Sequence, residues 1–306
     1  MSRDITPPTA TPAAEVEVSD DLVRRLLLDQ HPDLAQLPLE RLDAGWDNAM
    51  FRLGAGHAVR LPRRAVAAAL IEHEQVWLPL LADRLPIAIP APVRVGRPGN
   101  GFPWGWSIVP WLPGEPADLR PPGPGAAGPL AAFLRALHLP APPEVPTNPF
   151  RGVALTQRRS VVEARLERLA GATSCITRPV SAAWQAALAT PAGHDACWVH
   201  GDLHARNVLV SDGAISAVID WGDVCSGDPA TDLAAVWTLL DDAAARRQAI
   251  SDYGAPAAVW LRALGWAVSF GTVLLETGLA DHPRHAQMGR DILRRINDGP
   301  NAADLG

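Results

Sequence analysis

The spacing of apolar positions changes near Pro113. Upstream, short alternating runs are broken by turn residues; downstream, apolar residues recur every three or four positions, the spacing of one helix face. Residues 39–42, 49–53 and 57–61 read as strands, the last two joined by Gly54-Ala55-Gly56. Ser19 and Asp20 offer a cap for a helix over 21–28, and 65–85 reads as a longer helix that Pro79 kinks or ends. Residues 93–95 and 104–111 read as two further strands around a turn-rich segment. Beyond the Pro/Gly-rich loop at 121–128, helices are predicted at about 129–138, 157–170 and 179–189, and from 231 onward. A strand-turn-strand segment at 198–220 interrupts them.

The pattern predicts an α+β chain. Residues 1–18 read as a flexible leader, and 19–112 as a small antiparallel β-rich lobe with one main helix. Residues 113–306 form a larger α-helical lobe after the connector Leu112-Pro113-Gly114. A cleft between two such lobes is a usual place for a ligand.

Composition narrows the function. The 306 residues are 48% hydrophobic and 20% charged, which suits a folded chain rather than a disordered one. Thirty-three acids against 27 bases give a net charge of −6, which argues against a nucleic-acid partner. No lysine occurs, so any cationic role falls to arginine, whose planar fork is not equivalent to an ammonium. Three cysteines without a C-x-x-C spacing suggest reduced thiols in a cytoplasmic protein. The N-terminus lacks the apolar core of a signal peptide, and the longest nearly apolar stretch, 263–275, is too short to span a bilayer. No membrane association is therefore expected.

The candidate chemistry lies in His200-Gly201-Asp202-Leu203-His204-Ala205-Arg206-Asn207, which leads into an apolar strand. Ser211-Asp212-Gly213 turns the chain, and the returning strand ends at Asp220-Trp221-Gly222. Folding this hairpin brings Asn207 and Asp220 to its open end. A carboxylate and an amide oxygen there suit a hard cation such as Mg²⁺, which takes oxygen ligands and few protein groups. Asp202 then remains to accept a proton.

His-Gly-Asp-x-x-x-x-Asn followed by Ile-Asp-Trp-Gly resembles the aminoglycoside phosphotransferase family, with its two-lobed protein-kinase-like fold, over roughly residues 39–240. The resemblance implies that Asp202 is the catalytic aspartate acting on an acceptor hydroxyl, and that Asn207 and Asp220 hold Mg²⁺ against the phosphates of ATP or GTP. In the related kinase pattern a strand lysine grips phosphate and pairs with a helix glutamate. Here Ala58-Val59-Arg60 stands where Ala-x-Lys would, so Arg60 takes that place. Its partner can be chosen physically: Leu70, Glu74, Trp77, Leu78 and Leu81 share one helix face, so Glu74 is turned inward and needs a cation. The alternative is a surface ion pair through Arg63 or Arg64.

Backbone N–H groups near Gly45 and Asn48, in the loop Asp43–Asn48, are candidate phosphate contacts. The resemblance places the adenine-reading carbonyl and N–H at Pro110 and Leu112; the missing N–H of Pro110 is no obstacle, because only its carbonyl is asked for. Trp46, Trp104 and Trp111 are candidates to line the cleft. His200 and His204 are expected to support their loop, Asp223 to stand behind the ligands, and Asp228 and Asp232 to cap the next helix.

The implied activity is a Mg²⁺-dependent O-phosphotransferase moving a phosphoryl group from ATP or GTP to a hydroxyl of a small molecule, an aminoglycoside or another antibiotic. Asp241, Asp242 and Glu276 are candidate carboxylates for a polycationic acceptor. Kinases of choline, homoserine, sugars, nucleosides or macrolides fit the same motifs, as does a nucleotide-binding module without turnover.

Overall fold

The computed structural model describes residues 13–42, 47–191 and 196–305. They form two compact units: one takes the chain up to Arg84 together with Ile89–Leu112, the other Leu85–Ala88 together with the chain from Pro113.

The smaller unit begins with α1 (Asp20–Gln30). Ser19 caps it, its Oγ accepting the Leu22 N–H at 3.2 Å, and Asp20 and Asp21 sit at the positive end of the helix dipole. A five-stranded antiparallel sheet follows, with β1 (Leu39–Arg41), β2 (Asn48–Leu53), β3 (His57–Pro62), α2 (Ala65–Ala82), β4 (Arg94–Gly96) and β5 (Trp106–Pro110) in chain order. The spatial order is β1-β2-β3-β5-β4. Residues alternate in burial along β2, so Ala49, Phe51 and Leu53 join Val59, Leu61, Trp106 and Ile108 in a core closed by Leu22, Val23, Leu26 and Leu27 of α1.

Two expectations change here. Residues 15–18 are ordered parts of this unit: Glu15 and Val16 N–H groups donate to Arg63 O, and Val18 is buried in the core. Alternating valines among acids make a short packed segment whose composition resembles a tail. Helix α2 also runs through Pro79. The proline lies on the exposed side close to the helix end, where a missing N–H leaves no buried group unsatisfied.

In the larger unit, β6 (Glu115–Pro116) leads to α3 (Ala127–Leu137), α4 (Arg159–Ala172) and α5 (Arg178–Ala189). Strands β7 (Cys197–Val199), β8 (Val208–Ser211), β9 (Ala214–Val218) and β10 (Cys225–Gly227) follow. The chain ends in α6 (Ala230–Leu233), α7 (Ala235–Leu239), α8 (Ala243–Tyr253), α9 (Ala257–Ala280), α10 (Pro283–Asn297) and α11 (Ala302–Leu305). Strands β6, β8 and β9 form one small sheet and β10 with β7 another. Residues 85–88 belong here rather than with the preceding helix: Ala88 O accepts the Val218 N–H at 3.0 Å.

Helix α9 is longer than its apolar stretch suggested. Its 24 residues are enough by length and composition to cross a membrane, yet 78% of its most apolar window is buried inside the protein. It is the central helix against which α4, α5, α6 and α10 pack. A helix apolar on nearly every side is accounted for by neighbours on nearly every side.

Candidate active site

The hairpin β8–β9 sets the geometry. Val208 pairs with Val218, and the next backbone bond, Ile219 N–H to Asn207 O at 2.8 Å, closes its open end. Asn207 and Asp220 therefore emerge beside each other, as the hairpin argument required. Asn207 is buried, and its Nδ2 donates to the Asp202 carbonyl at 2.9 Å, which directs Oδ1 the other way. Asp220 has φ of +62°, a left-handed conformation that carboxamide and carboxylate residues tolerate better than most. Its exposed carboxylate makes no hydrogen bond or ion pair among the described residues. Two oxygens of hard character are thus presented without internal partners, which fits Mg²⁺. Among the described residues no group of three or more His, Cys, Asp or Glu side chains gathers as a metal centre, so a cation here would draw its remaining ligands from phosphate and water.

The loop ahead of the hairpin is pinned from below. His200 is fully buried; its Nδ1 accepts the Asp202 N–H at 3.2 Å, so Nε2 carries the proton and donates to Ile219 O at 3.0 Å. One imidazole thus ties the Asp202 segment to the Asp220 segment, and Trp221 packs against its ring. Gly201 has φ of +85°, and a Cβ there would sit 2.9 Å from Asp223 O, so only glycine fits.

Asp232, read in the sequence only as part of the start of the next helix, and Arg151, which the sequence did not mark, complete this anchoring. Asp232 is more than the first turn of a helix. Its carboxylate is fully buried and accepts the backbone N–H groups of His200 (2.6 Å) and Gly201 (2.9 Å). Asp228 caps as expected, accepting the Ala230 N–H, and also binds Arg262 at 2.6 Å. Arg151, fifty-one positions before Asp202, reaches its Oδ1 with Nη2 at 2.7 Å. Asp223 stands behind it, 3.5 Å from Arg151 Nε and bonded to Asn148 Nδ2 at 2.7 Å. The signal for Arg151 was only a lone arginine in a loop, and nothing local marks its target.

Burial alone would raise the Asp202 carboxyl, but the charge of Arg151 leads the opposing effects that outweigh it and hold the group well below the usual carboxylate range. Asp202 is thus an ionised acceptor with one oxygen tied. Its Oδ2 lies 3.4 Å from both His204 Nε2 and Asn207 Nδ2, contacts too long to bind it firmly.

In the smaller unit Arg60 and Glu74 pair at 2.6 Å, both buried. Ile71, Glu74, Leu78 and Leu81 form the inward face of α2, while Leu70 and Trp77 lie at its margin and Glu72 is exposed. Of the two arginines of the alternative, Arg63 and Arg64, the second binds Asp47 at 2.5 Å. Asn48 opens β2 with a buried, unpartnered Oδ1; Gly45 and Trp46 lie outside the described residues.

Just past the end of β5, Trp111 N–H donates to Gly56 O at 2.9 Å. That fixes one strand edge, so Pro110 O and Leu112 N–H face the other. Pairing with β4 on that edge reaches only Arg94–Ile108, and both groups lie past it. Trp111 is covered by the Arg52 guanidinium (4.6 Å), and Trp104 packs edge-on to Phe102.

The carboxylates expected to meet a cationic acceptor are committed elsewhere. Glu276 accepts from Arg165 (3.0 Å) and Arg168 (2.7 Å), Asp241 is bound by Arg294 and Arg295, and Asp242 caps α8. Glu276 and Asp241 are each taken by two arginine side chains, whose guanidinium forks offer several donors.

Residues 38–266 match the model of the phosphotransferase enzyme family. No curated protein matches the chain. Among solved structures, the GDP complex of aminoglycoside 2'-phosphotransferase-IIIa is 19% identical, with 90% of this chain and 97% of that one covered and a TM-score of 0.65. The macrolide 2'-phosphotransferase MphH of Brachybacterium faecium, an apoenzyme, is 22% identical over 90% and 98% of the two chains, with a TM-score of 0.55. ADP-bound aminoglycoside phosphotransferase APH(2'')-Ib is 17% identical over 90% and 97%, with a TM-score of 0.58. At these identities the likeness establishes the kinase-like phosphotransferase fold.

Proposed function

This chain belongs to the phosphotransferase enzyme family, and we propose that it moves the γ-phosphoryl group of ATP or GTP to a hydroxyl of a small antibiotic-like acceptor, with Mg²⁺ as cofactor. The observation that carries the reading is the convergence of Asp202, Asn207 and Asp220 at one end of the β8–β9 hairpin, with Asn207 Nδ2 locked to the Asp202 backbone. Catalysis of this kind rests on positioning and electrostatics more than on covalent chemistry.

In this proposal Asp202 takes the proton of the acceptor hydroxyl and sets its oxygen in line with the phosphorus. Its ionised state, secured by Arg151, suits a group that accepts the hydroxyl's hydrogen bond and orients its oxygen. Asn207 and Asp220 would hold Mg²⁺, which when bound neutralises phosphate charge. Arg60, held by Glu74, grips the donor phosphates, and the Pro110 carbonyl with the Leu112 N–H reads the edge of the base. Asn48 and Gly45 contribute backbone N–H groups to phosphate.

For the acceptor, an aminoglycoside is the first reading: solved relatives of this fold carry kanamycin, gentamicin and streptomycin. A macrolide-like acceptor is the second. It is favoured by the commitment of Glu276, Asp241 and Asp242, the carboxylates expected to meet a polycation, to arginines and a helix cap.

An acceptor screen by mass spectrometry tests the proposal, using Mg-ATP and Mg-GTP with aminoglycosides, macrolides, nucleoside and peptide antibiotics, choline and homoserine. Asp202→Asn is the control for chemistry and Asp220→Ala the control for metal. One added phosphoryl group, absent with Asp202→Asn, is the expected product. Asp220→Ala is expected to raise the Mg²⁺ concentration needed for half-maximal turnover by about tenfold or more. Unchanged metal dependence in that variant removes Asp220 from the metal site.

A further inference from the structure

Asp202 has two carboxylate oxygens, and the structure treats them differently. Oδ1 receives Arg151 Nη2 at 2.7 Å, whereas Oδ2 has only the 3.4 Å approaches of His204 and Asn207. A carboxylate whose orientation is free spends most of its time misaligned, and small misplacements at a reacting atom cost large factors in rate.

Arg151 is itself firmly placed. Asn148 Oδ1 accepts the backbone N–H groups of Phe150 (2.8 Å) and Arg151 (3.2 Å), which curls the loop. The same Asn148 donates Nδ2 to Asp223, whose other oxygen faces Arg151 Nε. The guanidinium carbon sits 5.1 Å from the centre of the Phe270 ring on α9. Behind it Gly152 N–H donates to Thr231 Oγ1, and Gly152 O accepts the Asp228 N–H. Gly152 and Gly227 approach so closely that a Cβ on Gly227 would lie 2.5 Å from Gly152 Cα. Neither backbone there has room to drift. The loop is therefore built against the β7–β10 pair that leads into the Asp202 loop, from residues outside the two motifs that mark the site.

We propose that Arg151 is the positioning residue of the phosphotransfer site: it fixes Asp202 through Oδ1 so that Oδ2 faces the acceptor hydroxyl. The proposal rests on the phosphotransferase reading above. In the step it serves, the acceptor O–H proton passes to Asp202 Oδ2 and the acceptor oxygen bonds to the γ-phosphorus. The bond from that phosphorus to the β,γ-bridging oxygen breaks, its electron pair leaving with the nucleoside diphosphate. Arg151 touches neither substrate; it acts through Asp202. The guanidinium also bridges to Asp223, so the carboxylate it orients is held against a second fixed point rather than against solvent.

The test is a set of full-length variants assayed with Mg-ATP and Mg-GTP and the acceptor found in the screen, or with water as acceptor. Arg151→Met keeps an unbranched apolar side chain and removes the charged fork. It is expected to lower kcat about 10–100-fold with the nucleotide KM unchanged. Arg151→Lys, which restores a charge but only a point donor, is expected to recover part of that loss. The double variant Arg151→Met/Asp202→Asn is expected to be no slower than Asp202→Asn alone, because residues acting as a unit are non-additive. Asn148→Ala, which loosens Asp223 and leaves the Arg151 charge in place, covers the case in which Arg151→Met does not fold; it is expected to lower kcat several-fold. Wild-type kcat in Arg151→Met, or a double variant slower by the product of the two single effects, overturns the proposal. If Asp202→Asn is itself as active as wild type, the phosphotransferase roles fail first, and that outcome is distinct from an inactive Asp202→Asn beside a normal Arg151→Met.

Discussion

The two units each hold an arginine against a carboxylate, and the two pairs are built in opposite ways. Arg60–Glu74 joins a strand to a helix, 2.6 Å apart, with side chains 8% and 2% exposed. Arg151–Asp202 joins two loops at 2.7 Å, with 24% and 22% exposed. The first pair is enclosed by regular structure on both sides, so it behaves as part of the core. The second stays partly open, its second oxygen is uncommitted, and the loops that carry it are fixed by Asp232, His200, Asn148 and two closely packed glycines. A buried pair costs heavily when broken because the surviving charge has no water. A partly solvated pair costs less to break, and what it governs is alignment. The difference separates a pair locked between regular elements from one that leaves a carboxylate oxygen without a short partner.

The largest effect should come from the open pair. Asp202→Asn is expected to lower turnover roughly 10²–10⁴-fold while nucleotide binding persists and the melting temperature changes little. Near-normal turnover would remove the carboxylate from the chemistry and erase the distinction between the two pairs. The closed pair should show the reverse profile. Glu74→Ala leaves the Arg60 charge buried, and a loss of about 3 kcal/mol in unfolding free energy is expected by denaturant titration. A loss under about 1 kcal/mol is the size of an exposed pair and would place Glu74 with the surface acids after all.

The smallest effect concerns pH and belongs to the loop-built side. Arg206 Nη1 donates to His285 Nε2 at 2.7 Å, and His282 stacks on the same ring. Burial first, then Arg206 and His282, push the His285 pKa down to about 4. The unfolded chain takes up this proton below about 6.5 and the folded chain only below about 4, so between those values the unfolded state binds more protons. Stability is therefore expected to fall as pH drops from about 6.5 to about 4, and His285→Gln should lose less over that window. Parallel melting curves for both proteins across the window would sink this assignment.

Much of the molecule could be read from order and spacing alone. Glu74 was legible because a helix repeats every 3.6 residues and a charge on its inward face demands a partner. Asn207 and Asp220 were legible because a hairpin with a strong turn at Ser211-Asp212-Gly213 fixes which residues meet at its open end. The two-residue repeat of a strand explains why a carbonyl and an N–H two positions apart share an edge, while the family resemblance placed that pair at Pro110 and Leu112. Each is a local relation, decided by geometry within some fifteen residues. The misread elements are those where local pattern misleads: Val16 and Val18 among acids, Pro79 in a helix that continues past it, and residues 85–88 that pair with β9 rather than with the elements beside them in sequence.

What the amino-acid order determined by itself, then, is the two-part α+β architecture, the hairpin that brings Asn207 and Asp220 together, and the family the motifs belong to. What only the tertiary structure decided is how Asp202 is held: by Arg151 from 51 positions upstream and by Asp232 reaching back from 30 positions downstream to the backbone of its loop. It also decided that Glu276 and Asp241 are taken by arginines. The reason is physical. Helix and strand periodicity is a property of neighbouring residues, whereas an ion pair between loops depends on how distant backbones pack, and no repeat along the chain records that distance.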